Sequence, residues 1–215
     1  MYKKIKINSW KRKNQYNFFK KYDNPYFYIC TELDISEFYS FTNQNSISFF
    51  IASLFASTKA LNLVKELKYR IRGEDVILHD NVHPGSTIIK KDETFGFCYF
   101  KYSDSFNLFN ENAKKSLNEF RLKENQFDPQ DNRDDLIHYS ILPWITFTSI
   151  SHARNWNTNN SVPVITMGKY TKRDEKLMMP ISIEVHHSLV DGLHLSKYFN
   201  HFQEILLQPK LYLDK

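Results

Sequence analysis

The most constraining feature of this chain is a change of pattern around two adjacent histidines in its last third. Residues 177–185 form an apolar run with the character of a strand, and from Leu195 apolar residues recur at helical spacing. Between them lies the segment His186-His187-Ser188-Leu189-Val190-Asp191-Gly192-Leu193-His194. The pattern therefore predicts a strand that ends at the histidines and turns directly into a helix, with both imidazoles held at a rigid junction.

Two interpretations of this junction follow from the residues alone. Imidazole is the side chain best suited to transfer a proton near neutral pH, so a catalytic base is one of them. In the other, Asp191-Gly192 is an ordinary turn and Asp191 is only the N-cap of the helix. A metal site is disfavoured, because adjacent residues of an extended strand point to opposite faces and the sequence has neither an HExxH nor a CxxC motif.

The composition indicates a single globular domain covering residues 1–215. The chain has 215 residues, of which 41% are hydrophobic, and no Pro-, Gly- or Ser-rich linker divides it. Aromatic residues make up 16%, enough for an aromatic core and compatible with a pocket for an aromatic ligand. Cys30 and Cys98 are expected to be unpaired thiols in apolar surroundings.

Charge and hydropathy disfavour several classes of partner. The net charge is +5, but the basic residues are scattered rather than concentrated in a stripe, which disfavours nucleic-acid binding. The first residues lack the apolar core of a signal peptide. The most apolar stretch, 47–64, is too short and too polar to span a membrane. We therefore expect a cytoplasmic protein that binds neither nucleic acid nor membranes.

Hydrophobic periodicity gives a coarse order of elements. Helices are predicted at 11–22, 36–42, 46–64, 105–124 and 192–207. Strands are predicted at 26–33, 69–72, 76–78, 87–89, 95–102, 137–151, 162–170 and 177–186, with a polar loop at 126–135 and a charged turn at 171–175. Helices and strands mix without a repeated strand–helix–strand rhythm, so the sequence predicts an α+β fold with a mixed sheet and helices packed on one side.

Several segments resemble the chloramphenicol acetyltransferase family. The segment from His186 to His194 resembles the family's active-site signature, in which two histidines precede Asp-Gly, an aromatic residue and another His. Other segments resemble family motifs and follow in the same order: Trp10-Lys11-Arg12, Asp80-Asn81-Val82-His83-Pro84, Glu93-Thr94-Phe95, Leu142-Pro143-Trp144-Ile145-Thr146-Phe147-Thr148-Ser149 and Ile165-Thr166-Met167-Gly168-Lys169-Tyr170. Two positions depart from the family pattern: Leu193 stands where Phe or Tyr is usual, and Glu184 where Gln is common.

The resemblance implies roles for four catalytic residues. His187, the second histidine of the pair, matches the family's general base, which takes the proton of the acceptor hydroxyl without forming an acyl-enzyme. Asp191 is expected to pair with Arg12 and not with the base. Ser149 matches the family's donor to the tetrahedral oxyanion, and the predicted strand places it on the same face as Ile145 and Phe147.

The resemblance also implies substrates and assembly. Thr166, Phe18 and Phe19 match positions near the acceptor, and Tyr170 matches one near coenzyme A. The implied activity is acetylation of a chloramphenicol hydroxyl, which confers antibiotic resistance, with acetyl-CoA as co-substrate and no permanently bound cofactor. The implied fold is a two-layer sandwich, assembled as a homotrimer whose active sites lie between subunits.

Two other functions remain open at the level of the sequence. One is a different CoA- or lipoyl-dependent acyltransferase that uses the same His-x-x-x-Asp-Gly arrangement, although no lipoyl or subunit-binding domain is visible in the sequence. The other is a non-catalytic protein that binds an aromatic ligand and leaves its histidines idle. Release of a thiol from acetyl-CoA in the presence of chloramphenicol would distinguish both from the first interpretation.

Overall fold

The computed structural model describes residues 1–123, 126–130, 132–154 and 160–214. Its helices are α1 (Lys13–Phe19), α2 (Ser36–Gln44), α3 (Phe49–Asn62), α4 (Phe106–Leu122), α5 (Gly192–Leu207) and α6 (Pro209–Leu213), with short 3-10 helices at Ile7–Ser9 and Lys65–Lys68. Its strands are β1 (Tyr2–Lys4), β2 (Tyr26–Asp34), β3 (Tyr69–Arg72), β4 (Asp75–His79), β5 (His83–Ile89), β6 (Phe95–Tyr99), β7 (Leu136–Leu142), β8 (Val164–Gly168), β9 (Thr171–Arg173) and β10 (Lys176–His186).

The described strands form one large sheet and one small sheet. The large sheet has the order β2-β10-β8-β7-β5-β6, and β9 pairs with one end of β10. Strand β7 runs parallel to both β5 and β8, whereas the other pairs in this sheet are antiparallel. The small sheet, β1-β4-β3, is antiparallel. The predicted α+β class with a mixed sheet is confirmed.

The central strand β10 gives the large sheet one apolar and one polar face. Its apolar residues alternate with Ser182, Glu184 and His186, so the two sets point to opposite sides. The apolar set consists of Met179, Ile181, Ile183 and Val185. These side chains belong to a single buried core that also contains residues of α2, α3, α4 and α5. We call the opposite side, which carries Ser182, Glu184, His186 and their cross-strand neighbours, the polar face.

Helix α3 lies at the centre of the helical layer. Ser48 begins it, because the Ser48 hydroxyl accepts a hydrogen bond from the backbone N–H of Ile51 and so satisfies one of the first amides. The helix is apolar nearly all round, and its residues from Ile51 to Thr58 are all buried. The prediction that this segment is a buried helix is confirmed, and with it the packing of helices on one side of the sheet.

Several predicted boundaries are wrong. The strand predicted at 137–151 ends at Leu142, because Pro143 has no N–H to continue the ladder and begins a turn. The charged turn predicted at 171–175 begins with β9, and the chain reverses only at Asp174 and Glu175, both with positive φ. Strand β1 and helix α6 were not predicted. Two predicted positions, Glu124 of a helix and Asp131 of a loop, lie outside the described residues.

Helix α6 starts at Pro209, two residues after α5 ends at Leu207. Proline is tolerated at the first position of a helix because its missing N–H would have had no partner there. Within the described parts of the chain, no helix combines the length and the apolar character that crossing a membrane requires.

Candidate active site

The two histidines end β10 and point to opposite faces of the sheet. The backbone N–H of His187 donates to the carbonyl of Pro25 at 2.8 Å, which continues the pairing of β10 with β2 for one residue. The chain then turns, as the amides of Leu189 and Val190 donate to the carbonyl of His186. Asp191 is the N-cap residue of α5. The predicted strand–turn–helix junction is present.

The ring of His187 is held between two aromatic side chains. It stacks on Phe19 with the centroids 3.8 Å apart and an angle of 11° between the planes. The ring of Phe27 lies 4.4 Å away on a tilted plane. About a third of the His187 side chain remains exposed, at 31%. The apolar walls therefore fix the ring while leaving one edge open to a ligand.

The hydrogen bond of His187 selects its tautomer. Nδ1 lies 3.1 Å from the carbonyl oxygen of Val190, which can only accept, so Nδ1 must carry the hydrogen. Nε2 of the neutral ring then has a bare lone pair. The nearer Asp191 carboxylate oxygen is 3.4 Å from Nδ1, farther than the Val190 oxygen. The backbone, rather than a carboxylate, is thus the main partner that orients this imidazole.

Arg12 binds the turn that follows His187 from the other end of the chain, 179 residues away. Its Nη1 donates to Oδ2 of Asp191, and its Nη2 to Oδ1 at 2.6 Å. Nη2 also donates to the carbonyl of His187 at 2.6 Å, and Nε to that of Ser188 at 2.8 Å. The Arg12 guanidinium holds the pKa of Asp191 below its usual range. Arg12 therefore fixes both the carboxylate and the backbone of the turn.

Asp191 is both the N-cap residue of α5 and the ion-pair partner of Arg12. The two roles are therefore compatible in this residue. The backbone N–H of Asp191 donates to Nδ1 of His194 at 2.9 Å, which satisfies an amide at the start of α5. Burial lowers the pKa of His194, and Arg12 and Lys197 act in the same direction. Leu193, which replaces the aromatic residue usual in the family, is 66% exposed.

The remaining residues predicted for substrates lie in three places. Phe19 contacts His187, whereas its neighbour Phe18 is 58% exposed and packs edge-on against it. Tyr170 contacts Tyr39 and lines an apolar cavity of about 300 Å³, whose other walls come from Phe49, Phe50, Ser53, Ile141, Pro143, Met167, Gly168, Lys169 and Met179. Thr166 is fully buried within β8. The structure thus brings only Phe19 into contact with His187.

Ser149 and Thr166 lie on the polar face, away from His187. Thr166 pairs with Ser182, and Tyr28 pairs with Glu184, so all four side chains share that face. The exposed hydroxyl of Ser149 lies 3.3 Å from that of Tyr28. The expectation that Ser149 is part of a strand is wrong: it lies beyond the turn at Pro143, in an irregular segment that lies over the polar face.

Sequence reasoning missed a charged cluster on the polar face. Nε of Arg154 donates to Oε1 of Glu184 at 2.5 Å, and both side chains are 6% exposed. Arg154 also lies over the ring of Tyr26 at 4.7 Å. In the sequence, Glu184 stands out only as a departure from the Gln that is common in the family. Arg154 lies in a polar segment without periodicity. The pairing was therefore not visible in the sequence.

His186 sits beside this cluster and stays neutral. Burial lowers its pKa from 6.5 to about 4, with Arg154 and His187 acting in the same direction. Between about pH 6.5 and pH 4 the unfolded chain therefore binds a proton at His186 that the folded chain does not.

We expect the free energy of unfolding to fall by on the order of 2–3 kcal/mol as the pH drops through this window. Urea unfolding across this range measures it. The His186→Gln variant should show a shallower dependence, and an unchanged slope would contradict the assignment.

Comparisons with known proteins agree with this geometry. A family model described as chloramphenicol acetyltransferase matches residues 1–203. The chain is 26% identical over 206 residues to chloramphenicol acetyltransferase 3 of Escherichia coli, covering 95% of this chain and 96% of the relative. It is 28% identical over 204 residues to a chloramphenicol acetyltransferase of Staphylococcus aureus, covering 94% of each.

Solved structures extend the comparison to the fold. A chloramphenicol acetyltransferase structure superposes with a TM-score of 0.87 at 31% identity, covering 96% of this chain and 100% of the other. A dihydrolipoamide acetyltransferase of Azotobacter vinelandii, at 13% identity and a TM-score of 0.67, covers 93% of this chain and 88% of its own and shares the fold. The family model and these similar proteins show that the chain is an acyltransferase. Within that class, the chain belongs to the chloramphenicol acetyltransferase family.

Proposed function

We propose that this protein is a cytoplasmic, single-domain chloramphenicol O-acetyltransferase that confers resistance to the antibiotic. It transfers the acetyl group of acetyl-CoA to a hydroxyl of chloramphenicol and holds no permanent cofactor. The observation that carries the proposal is the bare Nε2 of His187, at a partly exposed edge of a ring whose other nitrogen is bound to the Val190 carbonyl. Family membership supplies the substrates.

His187 acts as the general base of a direct transfer. Nε2 takes the proton of the acceptor hydroxyl while the hydroxyl oxygen attacks the thioester carbonyl carbon. The tetrahedral intermediate carries the negative charge on the former carbonyl oxygen, to which the Ser149 hydroxyl donates. When the C–S bond breaks, the departing thiolate takes the proton back from His187, so the enzyme is regenerated without an acyl-enzyme.

Two copies of the chain contribute to each site, which fits the homotrimer that the family resemblance implies. Within one copy, His187 and Ser149 lie on opposite faces of the same sheet. The irregular segment that follows Leu142 also exposes two large apolar side chains, Trp144 at 64% and Ile145 at 59%, as a surface covered by another copy would. His187 of one copy therefore meets Ser149 of its neighbour.

The predicted substrate residues distribute around this interface. Chloramphenicol lies between Phe18 and Phe19 of one copy and the polar face of the next, where Phe147 and Thr148 help to line an open cleft of about 500 Å³. The apolar cavity beside Tyr170 takes part of coenzyme A. Thr166 is buried beneath the polar face, and its hydroxyl is already hydrogen-bonded to the side chain of His152.

The decisive experiment is chromatographic detection of coenzyme A formed from acetyl-CoA. The acceptors are chloramphenicol, a small panel of other hydroxylated compounds, and dihydrolipoamide, whose acceptor group is a thiol. Turnover that depends on chloramphenicol supports the proposal. Turnover only with dihydrolipoamide would assign the chain to the lipoyl-dependent enzymes that share its fold. Binding of chloramphenicol without thiol release would make it a binding protein.

Mixing two inactive variants tests the shared site. We expect Ser149→Ala to lower turnover about 10²–10³-fold, with little change in either KM, because one donor to the oxyanion is lost. Co-expression of Ser149→Ala chains with His187→Ala chains should restore activity, because a mixed trimer contains one interface at which both residues are intact. If mixed assemblies, purified with a different tag on each chain, stay as inactive as the parents, both residues come from one copy.

A further inference from the structure

The Thr166 hydroxyl is bound by a histidine that the sequence did not single out. Nε2 of His152 lies 2.6 Å from Oγ1 of Thr166. Thr166 has no exposed surface, whereas His152 is half-buried. A ligand on the polar face therefore reaches the imidazole of His152 before it reaches the hydroxyl beneath it.

Burial favours the neutral form of the His152 ring. Burial lowers the pKa of His152; Arg154 acts in the same direction, and Glu184 opposes it. A neutral imidazole has one nitrogen that donates and one that accepts. Since Nε2 is committed to Thr166, Nδ1 and the ring edge beside it are the parts of His152 that remain for a ligand.

The neighbouring ion pair carries one donor that is not satisfied. Nη2 of Arg154 is buried and has no hydrogen-bond partner among the described residues, although Nε is bound to Glu184 and Nη1 to the carbonyl of Val162. A buried donor of this kind favours a ligand that brings an oxygen and disfavours one that brings another cation. Arg154 lies two residues from His152, so both act on the same part of the polar face.

We propose that His152 is a specificity-determining residue of the acceptor site: it contacts an uncharged, oxygen-bearing group of the acceptor, and Thr166 serves as its anchor. The inference rests on the proposed function, because that function brings the acceptor onto the polar face, where Ser149 lies. It differs from the role that the family resemblance gave to Thr166. Here the threonine acts through the histidine and does not touch the acceptor itself.

Steady-state kinetics of His152→Leu, Thr166→Val and the double variant test this arrangement. We expect His152→Leu to lower kcat/KM for chloramphenicol roughly 3- to 10-fold, as for loss of one hydrogen bond, with KM for acetyl-CoA unchanged. His152→Gln should recover part of the loss, because its amide can still bond to Thr166. Adding Thr166→Val to His152→Leu should change little further. A further loss in the double variant, or equal effects on both substrates, overturns the inference.

Imidazole nitrogen resonances give a readout that does not need turnover. In protein with ¹⁵N-labelled histidine, the His152 signals are identified by their loss in His152→Leu. They should shift when chloramphenicol is added and, without ligand, in Thr166→Val. Signals of His201, 40% exposed on α5, serve as the control and should not move. If chloramphenicol is acetylated but the His152 signals stay in place, the inference fails and the function stands. If the signals shift but no thiol is released, the function fails and the contact stands.

Discussion

The His187→Ala variant is expected to lose at least about 10²–10⁴-fold in turnover while it keeps its fold. The loss follows because Nε2 is the lone pair at the open edge of the ring, and alanine leaves no group there to take the hydroxyl proton. The fold should be kept, because about a third of the His187 side chain is exposed and its side chain makes one hydrogen bond among the described residues, to the Val190 carbonyl. The measurement is kcat with acetyl-CoA and chloramphenicol, alongside the thermal unfolding midpoint.

A matched control separates this effect from the loss of any histidine. His201 lies on α5, and its side chain is 40% exposed. His201→Ala should therefore keep its full rate. His186→Ala should be milder than His187→Ala in turnover, because the His186 ring is only 6% exposed and offers no open edge to the acceptor hydroxyl. Near-normal turnover in His187→Ala would remove it from the role of base.

Breaking the contact between Arg12 and Asp191 is expected to lower both stability and activity. The loss should be larger when Arg12 is replaced than when Asp191 is replaced. Arg12→Ala removes the ion pair and also leaves the carbonyls of His187 and Ser188 without their donor. Asp191→Asn removes only the charge of one partner. Because the Asp191 side chain is 38% exposed, water compensates part of the loss. We expect about 2–4 kcal/mol of unfolding free energy for Arg12→Ala and about 1–2 kcal/mol for Asp191→Asn.

The double variant gives the sharper test of this pair. If the two residues act as a unit, Arg12→Ala combined with Asp191→Asn should be about as stable as Arg12→Ala alone. Lys11→Ala, at an exposed neighbouring position, is the control and should match the wild type. Strictly additive losses in urea unfolding and in kcat would show that the contact does not couple the two residues.

The sequence predicted the elements whose bounds depend on the local hydrophobic pattern. Strand β10 and helix α5 were expected almost to the residue, because apolar alternation changes to helical spacing at one point, His186. The strand predicted over 137–151 overruns its observed end at Leu142, because the β-branched and aromatic residues that follow suit a strand, whereas Pro143 ends the ladder. Trp144 and Ile145 of this segment are instead exposed, at 64% and 59%, which local strand propensity does not predict.

The candidate site was predictable only where family resemblance supplied the pairing. Arg12 and Asp191 are 179 residues apart, and composition or spacing alone would have left Arg12 as one more cation in a basic run. The bond between His152 and Thr166 and the ion pair between Arg154 and Glu184 were missed. Both join an irregular segment to a strand through tertiary packing, which periodicity does not encode.

The span of the Arg12 contacts has a consequence for how the enzyme matures on the ribosome. Arg12 emerges well before its acceptors, from His187 to Asp191, which are made at least 175 residues later. A chain whose translation stops before His187 therefore leaves the Arg12 guanidinium without these acceptors and lacks the proposed base. We therefore expect fragments released by premature termination to be inactive, however much of the sheet they have built.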